Sequence, residues 1–433
     1  MTEVTSSRIF PSPSERWTGG QYSVARALLG LVLAGMFVVQ AFHGAPVDAL
    51  GHPAGPVLDV LPNVLPGGVP NLFGLIDASI MAGALASAAV LASAAVLALL
   101  LAAGLLDRVA AVLLVWPWLS LFGSEPSLAN PAAWFVALLL IAHVCQPSAP
   151  FGSVASRGRI DPRGEWRHRA LPWVTLWCLM VLAYSYGGWL RMHDPAWVDG
   201  TALVRALKSP LVREGVVQEK LLGLPGIDQV VTTWTVFGIQ LLAVLIALYS
   251  YARAWLWGAL LALQLAALVV LENTGTSLAM VLLHVFTLSP RWWSAKGGPG
   301  SSTVFFDGGC GLCHGFVRLL LAEDGAGRCF RFAPLQGSTF AVAVPEAKRG
   351  ALPDTVVVRT SCGDLLLKSD AALHCLRRLG GGWRLLSATC RIVPRPIRDL
   401  VYDFIAAIRH TVFMKPTEMC PIMPPDLQQR FLP

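Results

Sequence analysis

Long apolar runs dominate the first two thirds of the chain and end near residue 290. A helix that crosses a bilayer needs about 20 mostly apolar residues, and eight segments approach that length. They are 24–43, 77–104, 107–123, 131–147, 171–190, 230–250, 254–271 and 275–290. The pattern predicts an all-α polytopic membrane domain of about eight transmembrane helices.

A different pattern follows, in which short β-branched and aromatic runs alternate with helical periodicity. Strands are predicted over 303–306, 328–332, 355–359 and 364–368, and helices over 311–322, 369–379, 383–390 and 396–412. A β-α-β start, a hairpin and a closing helix are the parts of a small α/β thioredoxin-like domain. About 130 residues suffice for such a core.

These patterns divide the chain into four parts. Residues 1–20 form a Ser/Pro-rich leader that we expect to be disordered, and residues 21–293 form the transmembrane domain. Residues 294–302 have the Gly/Ser-rich composition of a flexible linker, and residues 303–433 form the α/β domain.

Composition and charge support this assignment. Hydrophobic residues make up 55% of the chain and charged residues 14%, and the mean hydropathy is +0.60. The net charge of +7 is no nucleic-acid signal, because the arginines fall in short loops, where they set orientation in a membrane. Their distribution places the N-terminus, the loop 148–170 and the C-terminal domain in the cytoplasm of a multi-pass inner-membrane protein.

A Cys-x-x-Cys pair, Cys310 and Cys313, lies where the first strand of the α/β domain meets a helix. The amides at the N-terminus of a helix favour the thiolate of the first cysteine. We therefore expect Cys310 to be an exposed attacking thiol and Cys313 to resolve the mixed disulfide. A protein dithiol or disulfide is the implied partner, besides membrane lipid.

Three other interpretations of the pair stay open. Cys310-Gly-Leu-Cys313-His314 satisfies the C-x-x-C-H pattern of haem attachment, which requires an exported, oxidising compartment. A zinc site would need a second ligand pair at matching spacing, and none is evident, so no metal is predicted. The two cysteines could also simply pack the start of the helix.

Three further residues are candidates near the pair. Asp307 could hydrogen-bond the amides of the turn or take a proton from the buried thiol, and His314 could tune the thiol or merely begin the helix. Pro353 precedes the strand 355–359, where thioredoxin-like proteins place a cis-proline facing the disulfide.

The α/β domain resembles the DCC-type thiol–disulfide oxidoreductase-like family, whose signature Asp-x-x-Cys-x-x-Cys is present as Asp307-Gly-Gly-Cys310-Gly-Leu-Cys313. The resemblance extends to Phe332-Ala-Pro-Leu-Gln336, to Ser369-Asp-Ala371 and to the terminal Arg430-Phe-Leu-Pro433. It implies a thioredoxin-like fold and dithiol chemistry that requires no cofactor.

The membrane part resembles the HTTM family, which is related to vitamin K-dependent γ-carboxylases. The matching segments are 184–200 and 282–293. Carboxylases of that family use a lysine as base in the first segment, where this chain offers Arg191. Because the pKa of arginine exceeds 12, it cannot accept a proton near neutral pH, and carboxylation is not expected.

Ionisable residues at membrane depth are functional candidates by default. The candidates at or near helix ends are His43, Arg191, His193, Glu272 and His284. The alternative is interfacial packing, because side chains at helix ends can reach water. The sequence therefore predicts a membrane-anchored thiol–disulfide oxidoreductase, with a lipid-soluble quinone as candidate electron carrier. The alternatives are a non-enzymatic scaffold or maturation partner, and a lipid- or quinone-dependent enzyme of the carboxylase-like type.

Overall fold

The computed structural model describes most of the chain. The described residues are 17–43, 70–75, 80–122, 131–163, 166, 168–272, 274–293, 300–344, 346–349, 355–412 and 424–433. They fall into two compact units. The first comprises Ala25–Pro147 and Arg169–Leu288, and the second comprises residues 17–24 together with Ser148–His168 and Ser289–Pro433.

In its described residues, the first unit consists of helices and their connections, with one isolated β-bridge between Val212 and Leu271. Its α-helices are α1 (Gly19–His43), α2 (Ile80–Ala103), α3 (Asp107–Phe122), α4 (Pro131–Val144), α5 (Ala170–Arg191), α6 (Pro195–Val198), α7 (Ala202–Leu207), α8 (Val216–Leu222), α9 (Gly226–Leu241), α10 (Ala243–Leu248), α11 (Arg253–Val270) and α12 (Thr274–Thr287). The first residues of α1 are assigned to the second unit.

The expectation of eight spanning helices is not supported. Within the described residues, four helical segments are long and apolar enough to cross a membrane: Gly19–Phe42, Leu85–Ala103, Ala170–Arg191 and Arg253–Val270. Helices α4 and α12 have 14 residues each, which gives a length of roughly 21 Å against a hydrocarbon core of about 30 Å. The predicted span 230–250 is interrupted at Leu242, which separates α9 from α10. The sequence therefore predicted the apolar character of these segments correctly, but it did not predict the lengths of their helices.

The second unit contains a four-stranded mixed sheet. Its strands are β1 (Ser302–Phe306), β2 (Phe330–Pro334), β3 (Val357–Arg359) and β4 (Leu365–Leu367), in the order β2-β1-β3-β4. Strand β1 pairs in parallel with β2 and antiparallel with β3, and β3 pairs antiparallel with β4. All four strands were predicted, with β2 displaced by two residues from the expected 328–332.

Seven α-helices surround or follow this sheet in the residues that the structure describes: α13 (Gly311–Glu323), α14 (Ser338–Ala343), α15 (Glu346–Arg349), α16 (Lys368–Leu379), α17 (Gly381–Cys390), α18 (Arg395–Val412) and α19 (Pro425–Gln428). Alternation along the strands builds two cores. Val304, Phe332 and Val358 belong to one core with the cysteine pair, whereas Phe305 and Val357 belong to the other.

The last residues of the chain extend the sheet beyond β2. The amide of Phe332 donates to the carbonyl of Arg430 at 2.9 Å, and the amide of Leu432 donates to the carbonyl of Phe332 at 2.7 Å. The Arg430 guanidinium donates to Asp324 Oδ2 at 2.6 Å, with both side chains buried. Asp324 Oδ2 also accepts from the amide that begins β2, that of Phe330, at 3.2 Å. One carboxylate thus joins the end of α13, the start of β2 and the C-terminal segment.

A second buried carboxylate, that of Glu323, lies beside Asp324 in the chain. It accepts hydrogen bonds from the Thr18 hydroxyl, from the Gly20 amide at 2.9 Å and from the Trp383 indole. Burial raises the pKa of Glu323 despite these donors. A Cβ on Gly20 would meet Glu323 Oε1 at 2.6 Å, so the close approach requires glycine at that position.

Removal of the Arg430 charge should destabilise the α/β domain. Arg430→Met leaves the Asp324 carboxylate buried without its cation, and breaking a buried pair in this way costs about 3–5 kcal/mol. Arg328→Met, at an exposed arginine close in sequence to Asp324, is the matched control. Thermal unfolding of the full chain in detergent, followed by protease susceptibility at the β2 end, should show a marked loss for Arg430→Met alone. Equal effects of the two substitutions would contradict the assignment.

Candidate functional site: the Cys310–Cys313 turn

A three-residue turn places the cysteine pair at the start of α13. Strand β1 ends at Phe306, and the Asp307 carboxylate accepts from the Gly309 amide at 2.9 Å. The Cys310 amide donates to the Asp307 carbonyl at 3.3 Å. Asp307 therefore closes the turn by side chain and backbone together, as aspartate commonly does.

Cys310 is the N-cap residue of α13. Its sulfur accepts from the amide of Cys313 at 3.4 Å, and its carbonyl accepts from the amide of His314 at 3.0 Å. A serine or aspartate oxygen usually has this role. A sulfur atom in its place lies next to the positive end of the helix dipole. An N–H group directed at the sulfur stabilises the thiolate more than the thiol.

The prediction that Cys310 is exposed is wrong for this structure. Its exposed fraction is 1% and that of Cys313 is 5%, and both belong to the core that contains Val304, Phe330 and Phe332. The difference has a tertiary cause, because residues distant in sequence, among them Phe330 and Phe332, form the core around both sulfurs. No disulfide joins the two cysteines.

His314 is half-buried one residue after Cys313. Burial lowers the pKa of His314, and the nearby Arg318 guanidinium lowers it further. The imidazole is therefore neutral at physiological pH and can accept a proton. Arg318, which sequence reasoning missed, donates to the carbonyl of Arg159 in the loop of the same unit. The one feature of the sequence that could have indicated its proximity to His314 is the spacing of four residues on a predicted helix.

The other cysteines in the core differ from the pair. Burial raises the pKa of Cys375, and burial together with the neighbouring Asp324 raises the pKa of Cys329 to about 11. These two sulfurs stay protonated near neutral pH and have no capping amide among the contacts described here. They suit packing rather than nucleophilic chemistry.

Pro353 lies outside the described residues. Among the described residues, no group of three or more His, Cys, Asp and Glu side chains is arranged to hold a metal ion. The zinc interpretation therefore gains no support from this part of the chain.

In the described part of the chain, the membrane candidates contact different partners. The Arg191 guanidinium lies 4.6 Å from the ring centroid of Trp197 and donates to Gln240. His193 is exposed and its Nδ1 contacts the Trp189 carbonyl at 3.1 Å. Glu272 is exposed, and its amide donates to the carbonyl of Leu211 at 2.9 Å.

His284 differs from these three because it is completely buried in α12. Its Nδ1 lies 2.7 Å from the carbonyl of Met280, and the Tyr184 and Trp257 rings lie 5.8 and 6.1 Å away, centroid to centroid. Its Nε2 is buried without a hydrogen-bond partner within the described part of the chain.

Comparison with known proteins finds relatives of the C-terminal domain. Residues 304–415 match the family described as DCC1-like thiol-disulfide oxidoreductase. The chain is also 37% identical over 134 residues to "Uncharacterized protein YuxK" of Bacillus subtilis (strain 168), covering 30% of this chain and 93% of that protein. No solved structure shows a significant match. Through its C-terminal domain, the chain belongs to the DCC1-like thiol-disulfide oxidoreductase family.

Burial of the pair predicts an order of labelling. In the folded full chain, a small alkylating reagent should modify Cys362, which is exposed at the β3–β4 turn, before it modifies Cys310. The rates are measured by peptide mass spectrometry after timed quenching. Labelling in denaturant should equalise the two cysteines. If Cys310 reacts as fast as Cys362 in the folded protein, its sulfur is accessible and the buried position described here is not the resting one.

Proposed function

We propose that the chain is a membrane-anchored thiol–disulfide oxidoreductase whose working groups are Cys310 and Cys313. The observation that carries the proposal is the amide of Cys313 directed at the Cys310 sulfur at 3.4 Å. This hydrogen bond favours the thiolate form of Cys310, which is the form that attacks a disulfide. The parallel β1–β2 pair with antiparallel β3 and β4 supports a thioredoxin-like assignment of the domain.

Exchange would take place in two balanced steps. The Cys310 thiolate attacks one sulfur of a partner disulfide, a mixed disulfide forms, and the other partner sulfur leaves as a thiolate. The Cys313 sulfur, after losing its proton, then attacks the Cys310 sulfur and releases the second partner thiolate. The partner is reduced by two electrons and the pair becomes a disulfide; the reverse sequence oxidises a partner dithiol.

The neighbouring residues have supporting roles in this proposal. Neutral His314 is the proton acceptor, Asp307 holds the turn, and Pro353 positions the substrate. Because Cys310 is buried in the resting structure, access requires local opening of the Asp307–Cys310 turn. Such openings are typical of sites that bind a partner.

We further propose that the four long apolar helices anchor the protein in an inner membrane, with the α/β domain in the cytoplasm. The apolar helices of adequate length support anchoring. The arginine-rich loop 148–170 supports the cytoplasmic orientation of the α/β domain. The resemblance of the helical part to HTTM proteins is a further part of this proposal.

Trapping the mixed disulfide tests the exchange proposal. Cys313→Ser removes the resolving sulfur, so we expect a reductant-sensitive adduct with a partner protein on non-reducing gels of membranes. Cys310→Ser should form no adduct, and Cys362→Ser, at an exposed cysteine of the same domain, should behave as the parent protein. The non-enzymatic scaffold predicts the opposite: partner capture that does not depend on Cys310. That result would exclude thiol exchange.

A lipid-soluble electron carrier is a second element of the proposal, and the buried His284 favours it. Because the Met280 carbonyl can only accept, Nδ1 carries the proton in the neutral imidazole and Nε2 is an acceptor. An acceptor enclosed by aromatic rings suits the hydroxyl of a quinol. On oxidation a quinol releases two electrons and two protons, the quantities that convert a disulfide to a dithiol.

Binding of a short-chain benzoquinol to the purified full chain tests this element. His284→Phe keeps a ring of similar size and removes the acceptor, and loss of a buried hydrogen bond should weaken binding roughly tenfold. His193→Phe, at an exposed histidine, is the control. Quenching of tryptophan fluorescence gives the dissociation constants. Equal affinities for the two variants would remove His284 as a quinol ligand.

A further inference from the structure

Helix α18 is amphipathic, and its polar side holds it to the rest of the domain. Its contacts include those of Arg398 with Asp370 at 3.1 Å, the Ser369 hydroxyl with Asp399 at 2.5 Å, Lys368 with Asp403 at 2.7 Å, and the Thr355 hydroxyl with Tyr402 at 2.8 Å. The amide of Val356 also donates to the Tyr402 hydroxyl at 3.2 Å. Four polar side chains of one helix therefore contact neighbouring residues of the domain.

The apolar side of the same helix is exposed. Its large exposed residues are Ile397, Leu400, Val401, Phe404 and Ile405, and Ile392 and Val393 extend the stripe into the preceding turn. The exposed fractions reach 70% for Leu400, 65% for Phe404 and 82% for Ile392. Spacings of three and four residues align them along one face.

This polarity is the reverse of that in an ordinary surface helix, which buries its apolar stripe. An apolar stripe of seven large side chains is unfavourable in water, and such patches mark contacts with a protein or a membrane. The ion pairs and hydrogen bonds on the other side fix the helix in this orientation.

A cluster of four arginines lies next to the stripe along the chain. Arg377 and Arg378 lie in the last turn of α16, Arg384 lies in α17, and Arg391 is the C-cap residue of α17. Burial lowers the pKa of Arg377, and the positive charges of the other three lower it further. Arg391 directly precedes the exposed Ile392. Concentrated positive charge beside an exposed apolar helix is the combination by which interfacial helices bind anionic lipid.

We propose that α18 lies with its apolar face in the interface of the bilayer that anchors the protein, while the arginine cluster contacts anionic lipid headgroups. This inference rests on the membrane anchoring proposed above and is independent of the cysteine chemistry. The bilayer is the favoured occupant because the same chain carries helices able to span it, so that lipid is always near the domain. Lipid also matches the stripe and the positive charge together.

A photo-reactive residue in α18 tests the proposal in the full chain. p-Benzoylphenylalanine is introduced at Phe404, and the protein is reconstituted into nanodiscs of phosphatidylcholine alone or of phosphatidylcholine mixed with phosphatidylglycerol. After irradiation, mass spectrometry of the peptide identifies what the probe has reached. We expect lipid adducts, with a several-fold higher yield in the anionic discs. The combined variant Arg377→Gln, Arg384→Gln and Arg391→Gln should abolish the difference between the two lipid compositions.

The matched control is the same probe at Val342, which is 88% exposed on the short helix α14 of the same domain. It should give few lipid adducts in either disc. An adduct from Phe404 to a second copy of the chain, or no lipid adduct above the Val342 level, would overturn the proposal in favour of a protein contact or an uncovered helix.

Two further measurements separate this outcome from failure of the proposed function. Extraction of native membranes with alkaline carbonate should leave the protein in the pellet. If it is released, the anchoring is wrong, whereas retention without lipid adducts refutes only the α18 contact. Leu400→Glu should reduce lipid adducts at Phe404 while leaving the Cys313→Ser mixed disulfide intact.

Discussion

Strand β1 is the constraint on which the α/β domain depends. It is hydrogen-bonded on both sides, to β2 in parallel and to β3 in the opposite direction, so neither its position nor its register can change without disrupting the sheet. The register of Val304 with Phe332 and Val358 places alternate side chains in two separate cores. Because β1 ends at Phe306, the chain must turn within a few residues and begin α13 with Cys310 as its cap. The capping position of the Cys310 sulfur is thus a consequence of where the central strand ends.

Much of the domain could be predicted from local patterns. Alternating and helical periodicity give the four strands and the main helices, because each buries one face. Contacts between distant residues are absent from such patterns. The Asp324–Arg430 pair joins positions 106 residues apart, and nothing local marks either residue as buried. The position of the cysteine pair was predictable from its spacing, whereas the burial of Cys310 depends on the core formed by Phe330 and Phe332.

The membrane helices show a different limit of sequence analysis. Each segment that was predicted to cross the membrane from its apolar composition is helical in the described residues. Composition does not show where such a helix ends. Leu242 interrupts an apolar run without any proline or glycine at that position, and α4 is short although it is almost uniformly apolar. In α18 the pattern correctly gives an amphipathic helix, yet periodicity alone assigns the apolar face to the core. The ion pairs with Asp370 and Lys368 reverse that assignment.

Glu323 bears on how the domain is to be isolated. Its carboxylate depends on the Thr18 hydroxyl and the Gly20 amide, which lie about three hundred residues earlier in the chain. A fragment excised at the sheet, beginning near residue 302, would keep the buried carboxylate and lose two of its donors. The border of the folding unit is therefore not the border of the family match, and residues 17–24 belong in any piece intended to fold as the whole protein does.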